Sequence, residues 1–208
     1  MIALKFLRRG AVAPFTGVQW RVGEWVDAVD FPDRGVHALG WEHLAYWLDE
    51  ELWVVELEAP IVEGPAQLIA ARGRLARRVD AWNEGARRAL VEDVVARARA
   101  RIEGARVGWS PPAGAAWEAV RAEARALDTS ALDARRRAMV ACYASVLGAA
   151  LTAPAATAAF VGTTLAAIER CGPDPAPEAR DAAREAASLE RRAQSEFLAT
   201  LLDVRSIG

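Results

Sequence analysis

The sequence predicts an α+β protein: a small β-rich N-terminal module with one short helix, followed by a C-terminal bundle of four to five helices. Three observations lead there. All eight tryptophans lie at or before position 117, apolar residues alternate in short runs through residues 2–79, and from Glu84 onward they recur at helical spacing. The change of period divides the chain into a tryptophan-containing module, 1–82, and an Ala-rich helical module, 83–208. With 208 residues, 53% of them hydrophobic, the chain can bury a substantial core.

The elements follow in order. I-A-L-K-F-L (2–7) sets Ile2, Leu4 and Phe6 against Ala3, Lys5 and Leu7, the alternation of a strand. V-Q-W-R-V-G-E-W-V-D-A (18–28) reads as two short strands reversing near Gly23. In W-E-H-L-A-Y-W-L-D-E (41–50), Trp41, Leu44, Ala45 and Leu48 share one face of a short helix. L-W-V-V-E-L-E (52–58) is the clearest strand, with Trp53, Val55 and Leu57 on one face. Pro60, Gly64 and Pro65 predict a turn, and residues 67–79 a further strand.

Beyond Glu84, residues Leu90, Val91, Val94, Val95, Ala98 and Ile102 form the stripe of a helix of about five turns. A loop at 108–114, a helix at 117–127 and a break at 128–133 come next. From Met139 to Ile168 there are thirty residues without a charge, more than the roughly 20 that cross a bilayer. They are mostly Ala, Gly, Thr and Pro, poor drivers of insertion, and Pro154 suits the first turn of a second helix, so a buried hairpin is expected and a membrane-associated protein is the alternative. The last helix spans 178–202, with Ala182, Ala186, Leu189, Ala193, Phe197 and Leu201 on its apolar side.

Net charge is −2 and the pI near 5.8, which provides no overall field toward nucleic acid or an anionic membrane. Charge is uneven: residues 1–66 carry 5 basic and 11 acidic groups, residues 67–106 carry 10 and 5. The basic run R-G-R-L-A-R-R (72–78) could meet phosphate, but is expected to pair with the carboxylates of residues 24–63 instead. Lys5 is the single lysine among 26 basic residues. Cys142 and Cys171 match neither a zinc spacing nor a disulfide framework, and the first ten residues lack a signal-peptide core, which points to a reducing cytoplasm.

Phosphate-binding glycine loops and the G-x-S-x-G elbow are absent, and no metal site or cofactor is expected. The two histidines, His37 and His43, lie in G-V-H-A-L-G-W-E-H-L-A-Y-W (35–47), without ligand spacing for zinc. If the protein is an enzyme, the residues to expect are His37 as acid/base with Glu56, beside Arg72 and Arg74, acting on a nucleotide-like substrate. For binding, the candidates are Trp41, Trp47, Arg77 and Arg78, although both tryptophans also suit a core.

The order of an opening strand, an aromatic hairpin (W-R-V-G-E-W), G-V-H-A at 35–38 and a strand ending in acidic residues resembles a bacterial and phage domain-of-unknown-function family that carries a G-F-H-A/C element. The resemblance covers about two fifths of the chain; Val36 replaces the usual Phe, and it implies a structural signature, with no activity. The helical part, ending E-R-R-A-Q-S-E-F-L-A-T-L-L, is similar to helical proteins described as immunity proteins of bacterial toxin systems. That likeness implies a protein partner. Together these readings lead to a non-enzymatic protein-interaction protein, an immunity or accessory component of a bacterial conflict system.

Overall fold

The computed structural model describes residues 1–104 and 177–207. The expected loop at 108–114, the helix at 117–127, the uncharged run 139–168 and both cysteines lie outside the described residues. Within them the chain is α+β, built on a five-stranded antiparallel sheet: β1 (Ile2–Leu7), β2 (Trp25–Asp27), β3 (Val36–Ala38), β4 (Glu51–Gly64) and β5 (Gln67–Arg78). A 3₁₀ helix (Trp41–Tyr46) precedes β4, and two long helices follow the sheet, α1 (Glu84–Gly104) and α2 (Pro177–Leu201). Among the described residues, no helix is long and apolar enough to cross a membrane.

The hairpin β4–β5 organises the sheet. β1 pairs with β4, from Ile2↔Glu56 to Leu7↔Glu51, while β2 and β3 both pair with the far edge of β5. Leu39, just past β3, exchanges two backbone hydrogen bonds of 2.8 Å with Leu4 of β1. This last link joins the two ends of the sheet, so β1, β4, β5 and β3 close into a small barrel. Its inner face holds Ala3, Leu7, Val36, Ala38, Val55, Leu57, Leu68, Ala70 and Leu75. Gly73 belongs here because a Cβ would stand 2.9 Å from Val36 Cγ1 and 3.1 Å from Leu57 Cδ2.

A second core lies on the outer face. Leu4 and Phe6 of β1 and Leu52 and Val54 of β4 pack with Leu44 and Leu48, with Ala86, Leu90 and Val94 of α1, and with Leu198, Ala199, Leu202, Val204 and Ile207 at the chain's end. Trp82 stands at its centre, edge-on to Phe6 at 5.4 Å and donating from Nε1 to Asp49 O at 2.8 Å. Asn83 then starts α1, its side chain accepting from the Ala86 N–H at 3.2 Å.

This arrangement corrects the predicted fold class. Among the described residues there are two long helices and one 3₁₀ helix, and no C-terminal bundle of four to five helices. The reason is visible in the core: the apolar end of α2 packs against the outer face of the barrel. Periodicity reports that a helix has an apolar side without saying what will cover it. The side itself is also rotated from the expected one. Phe197 of the expected side does pack against the outer core, but Leu189 is 59% exposed and Leu201 42%, whereas Glu190, Gln194, Ser195, Leu198 and Ala199 are buried. Glu190 accepts from Gln194 Nε2 at 2.9 Å and faces Arg97 of α1, itself paired with Asp93 at 2.7 Å. Ser195 Oγ accepts from the Ala45 N–H, and Arg191 donates to Ala45 O at 3.0 Å. A polar seam therefore docks α2, and burial raises the Asp93 pKa, with Arg97 opposing and Glu190 adding to the rise.

Two substitutions test the two cores. Trp82→Ala should cost about 3–5 kcal/mol of stability by opening a cavity at the centre of the outer core, read by urea denaturation. Gly73→Ala should cost about 1–3 kcal/mol by overpacking the barrel interior, read in the same assay.

Candidate functional site

The expected catalytic residues fall into two separate places. On the outer face, β4 and β5 align Glu56 with Arg74 and Glu58 with Arg72, and β2 extends the rows with Trp25 opposite Arg74 and Asp27 opposite Arg72. Arg74 donates through Nε and Nη2 to one oxygen of Glu56, at 3.0 and 2.7 Å. Arg72 pairs with Asp27 at 3.0 Å and Glu58 at 3.4 Å. The Trp25 ring lies 4.7 Å from one guanidinium and 4.9 Å from the other. Each charge is thus met by a cross-strand neighbour, an arrangement that stabilises a half-exposed sheet face modestly.

His37 is elsewhere. It pairs with Ile69, five residues along β5 from Arg74, about 16 Å at the usual strand rise. Its Nδ1–H donates to Gln67 Oε1 at 2.9 Å, and its carbonyl receives the Lys5 ammonium. The structure therefore brings Glu56 together with Arg74, beside Arg72, and does not bring His37 to them. A histidine general base must reach its partner carboxylate or substrate proton within hydrogen-bond distance, and these rows stand too far apart for that pairing.

The binding candidates are likewise dispersed. Trp41 packs against the outer core with Arg205 over its ring at 5.7 Å. Trp47 donates from Nε1 to Ala66 O at 2.7 Å and meets Phe15 edge-on at 6.1 Å. Arg78 pairs with Glu51 at 3.3 Å, while Arg77, opposite Val54, is exposed and has no ion pair among the described residues. Arg72, Arg74 and Arg78 thus all find carboxylates from residues 24–63, as their position in the sequence suggested. His43 sits in the 3₁₀ helix with its ring 6.1 Å from Tyr46. Among the described residues, no group of three or more His, Cys, Asp or Glu could hold a metal ion.

The residue that sequence reasoning passed over is Lys5. The alternation of β1 places it with Ala3 and Leu7 on the inner face, opposite Trp53, and it is only 8% exposed. Its Nζ donates to His37 O and lies 5.2 Å from the centre of the Trp20 ring. Burial pulls its pKa down from 10.5 to about 8. The signal was available: the chain's one lysine stands in a strand with apolar neighbours on both faces. Glu51, at the same end of the barrel, accepts from Gly10 N at 3.2 Å, Ala11 N at 3.1 Å and Trp53 Nε1 at 3.1 Å, besides its contact with Arg78.

No family model, curated protein or solved structure matches this chain.

The lowered pKa of Lys5 fixes a pH dependence. Between pH 8 and 10.5 the unfolded chain keeps a proton that the folded chain has released, so stability rises with pH through that window and the gain is absent below it. The full rise is about 3 kcal/mol. Urea denaturation from pH 7 to 10.5 should show it, and Lys5→Met should remove it while stabilising the protein at pH 7. For Glu51→Gln, which leaves buried donors poorly matched, a loss of about 2 kcal/mol at pH 7 is expected in the same assay.

Proposed function

We propose that this chain works by binding another protein rather than by catalysis. The observation that supports this reading best is the edge of the barrel at β2. The pairing of Val26 with Gly73 and the hydrogen bond from Ala28 N to Ala71 O, 2.7 Å long, occupy one side of this strand. Antiparallel alternation turns the backbone groups of Trp25 and Asp27 to the other side, where no strand pairs with them among the described residues. Around that edge Val29 is 81% exposed, and Glu24, Asp27 and Asp30 hold exposed carboxylates. An extended polypeptide segment fits such an edge, adding as a strand; Glu24, Asp27 and Asp30 are paired here with Arg21, Arg72 and Arg34, exposed ion pairs weak enough to exchange for a basic partner's cations.

Two further observations support binding over chemistry. His37 and Glu56 are held apart, and Arg72 and Arg74 are engaged within the sheet, which leaves neither a base beside a carboxylate nor a pair of free guanidinium groups for phosphate. The setting we favour, an immunity or accessory component of a bacterial conflict system, rests on the resemblance of the Ala-rich helical part of the sequence, ending E-R-R-A-Q-S-E-F-L-A-T-L-L, to immunity proteins of bacterial toxin systems.

Affinity capture from the native host with tagged wild-type protein should recover a specific protein partner. Capture should fall at least about tenfold, equivalent to about 1.4 kcal/mol, with Val29→Lys combined with Glu24→Lys, both at exposed positions. Recovery of no specific partner would count against the binding reading, and a partner indifferent to the double variant would place the interface away from β2.

A further inference from the structure

An ammonium carries three N–H donors. In Lys5 one of them meets His37 O, and the Trp20 ring covers the group from 5.2 Å. No carboxylate among the described residues lies within ion-pair distance of it; those it could meet are committed elsewhere. Glu51, on the same inner face, is surrounded by two backbone N–H groups, the Trp53 indole and Arg78. The barrel interior therefore holds a full positive charge compensated by one carbonyl and one aromatic face. Burying a cation on those terms is unfavourable, and the positions on either side of it on the same face, Ala3 and Leu7, show what an ordinary core strand places there.

The cover over this charge is one side chain on an irregular segment. Residues 8–24 cross the mouth of the barrel between β1 and β2 without forming a strand. They are held by the Arg8–Val12 pair, the hydrogen bond from Trp20 N to Ala11 O, the Val12–Gln19 bridge and the hydrogen bond from Gly23 N to Leu75 O. Gly10, Ala11, Gly17 and Gly23 take left-handed backbone angles along it. Of the residues from 14 to 24, Trp20 alone is buried. Displacing it would expose an indole-sized apolar space with the Lys5 ammonium at its floor and Trp53 in the neighbouring strand.

The geometry points to a ligand site in the mouth of the barrel, occupied here by Trp20: a small aromatic carboxylate would place its ring where the indole lies and its carboxylate on Lys5 Nζ. One positive charge calls for one negative charge, which favours a monoanion over a phosphate. The flat, apolar volume of the indole favours an aryl group over a sugar or an amino acid. The lowered Lys5 pKa agrees with a cation lacking its counter-ion. This site is independent of the β2 edge and of the protein-binding reading.

Because the chain has a single lysine, selective ¹⁵N-lysine labelling yields one Nζ resonance, and its titration with benzoate and with neutral benzamide tests the site directly. Benzoate should move the resonance saturably in the wild-type protein and benzamide should not. Removing the plug with Trp20→Ala should tighten benzoate binding by about tenfold or more, because the closed state no longer competes. Lys5→Gln should abolish the heat of benzoate binding in calorimetry. The wild-type titration decides by itself if either variant fails to fold: no saturable shift with benzoate, or equal responses to benzoate and benzamide, would overturn the proposal.

Discussion

The pairing of β4 with β5 is the constraint on which the remaining structure depends, because each of the other strands is hydrogen-bonded to one of these two. Its ladder runs from Trp53↔Arg78 to Gly64↔Gln67 and is broken twice, between Val54 and Val55 and between Glu58 and Ile61. Each irregularity adds a residue on one strand and so changes which side chains face inward. The bulge beside Glu58 lets Ala70 and Gly73, three residues apart on β5, both face the inner core opposite Ile61 and Leu57. The other lets Leu75 point inward while Arg77 and Arg78 continue past the barrel. Bent at these two places, the hairpin curls far enough for Leu39 to reach Leu4. A straight ladder would leave the sheet open and Lys5 in solvent.

A second dependence runs across the length of the chain. Trp82, Leu90 and Leu198 occupy one cluster with Leu4 and Phe6, so residues near both ends of the described chain share a core. The polar seam of Asp93, Arg97, Glu190 and Gln194 gives that contact its direction. Leucines alone could slide or rotate, whereas a buried carboxylate has few orientations in which it is hydrogen-bonded and opposed by a guanidinium. Specificity of docking is the role such buried polar groups fill best.

The sequence and structure agree where a single element determines its own pattern. β1, β5 and both long helices fall within one or two residues of the runs that period and composition marked. They part where a distant partner decides. Pro60 reads as the end of a strand, yet sits in a bulge that tolerates a missing N–H, and β4 continues to Gly64. The stretch 41–50 reads as a short helix, and the helix that forms is of the 3₁₀ kind and six residues long, with no side-chain cap at Gly40. The aromatic hairpin at 18–28 lies instead along β5, Val22 bridging Leu75 and Trp25 pairing with Arg74. On α2, hydropathy selected Phe197, which packs against the outer core, together with the exposed Leu189 and Leu201, and did not find the most buried side because Glu190 and Gln194 lie on it. For the site, the arginine–carboxylate pairing was legible from charge segregation. The separation of His37 from Glu56 was not, since it depends on strand register, and Lys5 escaped notice because a strand lysine ordinarily faces water.

The burial of Lys5 also governs covalent chemistry at amines. Arginine supplies all the other basic side chains, and guanidinium groups stay protonated and unreactive toward acylating reagents at neutral pH. The amine of Met1 is itself hydrogen-bonded to Leu57 O at 2.9 Å. The folded surface consequently offers no free ε-amine for acetylation, cross-linking or attachment of a ubiquitin-like tag. Any such bond formed at Lys5 records a moment when the barrel was open, which makes the rate of amine acylation a clock for its breathing.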